Sequence, residues 1–142
     1  MIDVLVALVN APITAITAAI NAATGGKLRF DRHYTVVCEG GWLSNLGLSS
    51  AFTTGNTVNV KSSRVESFNA SPTVLEHEWK HSRQWAVMGL WFLPAYVANY
   101  LLSQALSGGQ GWNVFEWEAG FADGHYPYSR LGVPNVDSST ED

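Results

Sequence analysis

The chain has 142 residues, 46 % of them hydrophobic and only 14 % charged, against about 25 % charged in an ordinary globular domain. That length favours one domain, the apolar content excludes disorder, and a net charge of −4 leaves no basic excess for nucleic acid as the partner. The one cysteine, Cys38, excludes an intrachain disulfide framework and paired-cysteine metal sites; it fits a cytoplasmic or membrane-associated protein rather than a secreted disulfide protein.

Charge is absent from three stretches, 4–26, 40–60 and 84–115. In the first, Asn10, Thr14, Thr17, Asn21 and Thr24 recur at steps of four and three, which on a helix gathers them into one narrow uncharged stripe with apolar groups elsewhere. Such a helix wants burial nearly all round, so residues 4–24 are expected to meet the core, a partner chain, a second copy or a membrane. The run is long enough in principle to span a bilayer. Pro12 is expected to break or kink it near residues 8–11, and Gly25-Gly26 to stop it. Asp3, the missing basic segment and the missing cleavage site disfavour a secretory signal peptide. The expected division is an apolar helical segment over 1–26, a compact domain over 27–131 and a flexible acidic tail over 132–142.

Residues 28–70 read as β structure. Tyr34–Cys38 is a β-branched run closed by Glu39-Gly40-Gly41, and Ala51–Thr54 and Thr57–Lys61 flank Gly55-Asn56 as a hairpin. Val58 and Val60 alternate with Thr57, Asn59 and Lys61, which predicts one apolar and one wet face.

Residues 77–81, His-Glu-Trp-Lys-His, carry the H-E-x-x-H pattern. Ser71-Pro72 reads as its helix start. On that helix His77 and His81 project from one face at the spacing that grips one Zn²⁺, with Glu78 beside it. Zinc lowers the pKa of its water towards 7, and Glu78 can take up the proton as general base. A third ligand is needed. Glu116 and Glu118, in Asn113-Val-Phe-Glu-Trp-Glu-Ala119, are the candidates, and on a helix they diverge by about 200°, so one binds and the other turns away.

His77-Glu-Trp-Lys-His81 with Gln84, followed by Asn113-Val-Phe-Glu116 and Ala119, resembles the gluzincin arrangement. It is especially similar to small bacterial H-E-x-x-H-x-x-Q and N-x-F-E-x-x-A proteins. The likeness spans about residues 50–120, and implies a zinc hydrolase, most simply a metallopeptidase acting on a peptide or protein. In that pattern Glu116 is the third ligand, and the hairpin edge beside the zinc helix aligns an extended substrate. Lys80, Arg83 and Gly120 stand where the pattern has uncharged, apolar and acidic residues.

If Glu116 joins the two histidines, the run 84–115 must come back to the same metal and cannot cross a bilayer once. Gly89, Pro94 and Gly108-Gly109 supply breaks, which places a return helix at about 94–106. The fold expected is α+β: an N-terminal apolar helix, a small antiparallel sheet, the zinc helix, a return helix and the Glu116 helix.

His125 or Tyr126 is a candidate oxyanion donor, though a loop histidine among packing tyrosines is the more ordinary reading. Asp123 is a candidate support for a metal-bound histidine. His33 reads as an ordinary strand-edge residue, Cys38 as a buried small hydrophobe and Gln84 as a structural hydrogen-bonding group. Trp79, Trp85, Trp91, Trp112 and Trp117 read as packing, with a membrane-interface belt as the alternative. The competing function is a noncatalytic zinc-bearing accessory subunit docked through the N-terminal helix. A fourth coordination position closed by a side chain such as His125 would mark it.

Overall fold

A computed structural model describes residues 1–47, 49–108 and 111–120. The chain divides into two compact units, Met1–Gly89 and one beginning at Leu90.

The first unit has α+β architecture. Helix α1 (Ile2–Ala23) precedes strands β1 (Lys27–Phe30) and β2 (Val36–Glu39), a short helix α2 (Trp42–Leu46), the hairpin β3 (Ala51–Thr54) and β4 (Thr57–Val60), and helices α3 (Val65–Asn69) and α4 (Pro72–Met88). The strands form one sheet in the order β1-β2-β4-β3. The expected sheet was antiparallel throughout. Instead β2 pairs with β4 in parallel, while the β1–β2 and β3–β4 pairs are antiparallel. Parallel neighbours need a crossover, and residues 40–56, carrying α2 and β3, provide it. At the hairpin tip Gly55 has φ +61°, and a Cβ there would come within 2.4 Å of Ile13 Cγ2, so only glycine lets the turn tuck beneath α1.

The two sheet faces differ in kind. Val37, Val58, Val60 and Ala51 pack with Phe68 of α3 and Leu75 of α4 as a dry core. The opposite face carries Thr57 and Asn59, expected to be wet from the alternation in β4. Both are fully buried, because α1 lays its polar stripe on them. Asn21 donates to Asn59 Oδ1 at 2.7 Å, Thr17 to Thr57 Oγ1 at 2.9 Å, and Asn10 to the Ser82 carbonyl of α4 at 2.8 Å. Of the break or kink expected near residues 8–11, the break does not occur: helix α1 runs on through Pro12. Pro12 lies on the exposed side, where the missing N–H costs one backbone bond and no contact with the sheet.

In the second unit, helix α5 (Phe92–Ser107) and helix α6 (Val114–Ala119) are described. The expected helix at 94–106 is thus present and longer, at 16 residues. By length and composition, Ile2–Ala23 and the helical stretch Pro72–Leu106, interrupted by the 3-10 turn Gly89–Trp91, are apolar enough to cross a membrane.

Candidate metal centre

Helix α4 begins at Pro72, after Ser71 at the N-cap position but without a side-chain capping bond, and ends at Gly89 with φ +58°. Its buried face holds Leu75, His77, Glu78, His81, Ser82 and Trp85. The i, i+4 spacing stacks the two imidazoles on that face. Their Nε2 atoms stand 3.2 Å apart, with the rings nearly perpendicular at 85°. Two nitrogens each about 2.0–2.1 Å from a tetrahedral ion stand about 3.3–3.4 Å apart. The observed spacing is close to that value. His81 Nδ1 donates to Gln84 Oε1 at 2.7 Å, which leaves Nε2 with its lone pair for a ligand.

Glu78 is only 5 % exposed. The Thr53 hydroxyl of β3 donates to its Oε2 at 2.6 Å, and Trp85 Nε1 donates to the Thr53 carbonyl at 3.1 Å. Strand β3 and helix α4 are thereby clasped on both sides of the carboxylate, and Glu78 is held in one rotamer. Lys80 is half-buried and Arg83 exposed, the guanidinium of Arg83 lying 5.5 Å from the centre of the Trp79 ring.

Helix α6 is capped by Asn113, whose Oδ1 accepts from Phe115 N at 3.1 Å. Glu116 lies in the first turn and is buried, where the helix N-terminus favours a carboxylate. The Tyr96 hydroxyl of α5 donates to its Oε1, and Phe115 packs on Phe92 and Tyr96, with ring centres 5.4 and 5.9 Å away. Glu118 is exposed, the divergence expected of residues two apart. The ligand atoms of His77, His81 and Glu116 all lie within 4.8 Å of one another, a buried group that could hold a metal ion. Asp123, His125, Tyr126 and the acidic tail lie outside the described residues.

Two residues that hold the carboxylates of the centre, Thr53 and Tyr96, were not read from the sequence, and His33, beside it in the chain's first unit, was misread. His33 is no ordinary strand-edge residue. It sits in a 3-10 turn at φ +57°, stacks on Trp79 with ring centres 4.2 Å apart, and bonds through Nδ1 to Asp3 at 3.0 Å and through Nε2 to Glu76 at 3.1 Å. Burial pulls its pKa down, but the two carboxylates outweigh that and hold it above the ordinary imidazole value. Cys38 is buried as expected. Burial pushes its thiol pKa up, against a smaller opposing effect of Asn21.

No protein-family model, curated protein or solved structure matches this chain.

Proposed function

We propose that the chain is a zinc-dependent hydrolase, a minimal metallopeptidase of gluzincin type, in which His77, His81 and Glu116 hold the metal and Glu78 is the general base. The observation that carries this reading is the 3.2 Å convergence of the two Nε2 atoms beside a buried carboxylate already fixed by Thr53. A structural site has no use for such a carboxylate. Bound zinc would acidify a water and polarise a carbonyl. Thr53 holds Glu78 through Oε2, and the Glu78 carboxylate would accept the proton of the water and pass it to the leaving amine. Tyr96 steadies Glu116. Strand β3 is terminal in the sheet and carries Thr53, so an extended peptide added to that edge would run past Glu78.

The test joins metal analysis with Glu78→Gln. Wild-type protein should retain one zinc per chain after native purification and cleave members of a broad peptide and protein panel. Glu78→Gln should keep the metal and lose 10²–10⁴-fold in turnover, the usual share of a general base. Protein without stoichiometric metal would remove the centre altogether. Zinc bound with no cleavage by either form would make the chain a noncatalytic metal-bearing subunit.

A further inference from the structure

Helix α1 has its polarity reversed. Asn10, Thr17 and Asn21 are buried, and every exposed side chain from Val4 to Ala23 is apolar, among them Leu5, Leu8, Val9 and Ile16 at 56, 65, 59 and 56 % exposure. In water this is the wrong way round for an amphipathic helix, and an exposed apolar surface of this extent marks an interaction site. The hydrogen bonds of Asn10, Thr17 and Asn21 to α4 and β4 make the helix an integral layer of the first unit.

We infer that the outer face of α1 lies in a lipid bilayer, with the helix axis in the membrane plane. Three observations select lipid over protein. First, the face offers no polar or charged side chain between Val4 and Ala23, whereas protein interfaces have a polar rim and about one hydrogen bond per 100–200 Å². Second, the face continues into a groove of about 340 Å³ between α1 and β1, lined mostly by apolar side chains, among them Ala7, Ala11, Leu28 and Phe30, with Thr14 and Asn56 as the uncharged polar members; its chemistry suits an acyl chain. Third, aromatic side chains flank the helix. Phe30 and Tyr34 on the groove are 86 and 61 % exposed, and Trp42, whose N–H bonds Thr24 at the C-terminal end of α1, is 57 % exposed. Tyr and Trp are the residues that settle at a membrane–water boundary.

The in-plane orientation follows from the inner face. At 22 residues α1 is about 33 Å long, enough to span, but it is backed by a sheet whose terminal strands β1 and β3 each have an edge with no strand partner among the described residues. Hydrocarbon does not tolerate open sheet edges. Laid flat, the helix buries its outer half while the sheet stays in water, as interfacial helices do. With a net charge of −4 the attachment is apolar rather than electrostatic.

Flotation of the full chain with phosphatidylcholine vesicles tests this without reference to any metal or activity. Wild-type protein should float at both 0.1 and 0.5 M NaCl. The double variant Leu5→Glu, Ile16→Glu, which leaves the polar stripe intact, should keep its circular dichroism and lose at least tenfold in vesicle partitioning. With the protein on vesicles, Ile2→Cys and Lys27→Cys should both react with a membrane-impermeant maleimide added outside. Wild-type protein that stays at the bottom of the gradient overturns the inference. So does a double variant that floats like wild type, or a soluble dimer that this variant dissociates, which would assign the face to a second copy. Labelling at one end only would overturn the in-plane arrangement.

Discussion

Gln84 shows how much of the candidate centre depends on a residue that need not touch the metal. Its Oε1 accepts a hydrogen bond from His81 Nδ1, which orients the ring and favours the tautomer with the proton on Nδ1. Residues in that role commonly contribute 10–100-fold to metal affinity, so Gln84→Leu should weaken zinc binding by that factor in a chelator competition, with secondary structure unchanged. An unchanged affinity would reduce Gln84 to packing. The ligand choice is tested the same way: Glu116→Ala should strip the metal and Glu118→Ala should not, since Glu116 is buried against Tyr96 and Glu118 is exposed. The opposite result would reject the assignment. The histidine pair and Glu78 were legible in the sequence because i, i+4 spacing is a property of one helix. Thr53 and Tyr96 were not. Thr53 reaches Glu78 only through the placement of β3 against α4, and Tyr96 reaches Glu116 only through the fold of the second unit; neither is encoded at a fixed spacing.

At the scale of elements, the stripe on α1 was legible but its direction was not. Burial arguments send apolar residues inward by default, and a sequence cannot say that another polar surface awaits them. Here Thr57 and Asn59 of β4 supply that surface, so the alternation that predicted a wet face marked a buried polar layer instead. That layer is satisfied at each step: Asn21 Nδ2 gives to Asn59 Oδ1 at 2.7 Å, Asn21 Oδ1 accepts from Ser44 N at 3.0 Å, and Asn59 Nδ2 gives to Thr54 Oγ1 at 2.9 Å. Removing one member orphans the others in a dry site, at about 1–3 kcal/mol for each unsatisfied group. Asn21→Leu should therefore lower unfolding stability by about 2–4 kcal/mol in urea, although it makes the helix more apolar. Stability equal to wild type would mean that the layer is solvated.

At the largest scale, the first unit is tied together where the sequence offered least. The sheet orientation depends on a crossover and the His33 cluster on residues 3, 33 and 76, contacts too distant in the chain for any local pattern. His33 joins the start of α1, through Asp3, to α4, through Glu76, and Glu76 also pairs with Arg32 at 3.0 Å. A single histidine among two carboxylates and one guanidinium thus spans three elements in a left-handed backbone conformation that side chains rarely adopt. Its pKa is raised above the ordinary imidazole value of 6.5, so the folded state holds the proton more tightly than the unfolded chain does. The stabilisation is complete below pH 6.5 and disappears as pH rises through the higher folded value. Urea midpoints measured from pH 5.5 to 8.5 should fall for wild-type protein across that interval. In His33→Gln, which can still bond one carboxylate but carries no titrating charge, the decline should be shallower. The difference between the two profiles isolates His33; identical slopes would show that the cluster does not couple protonation to folding.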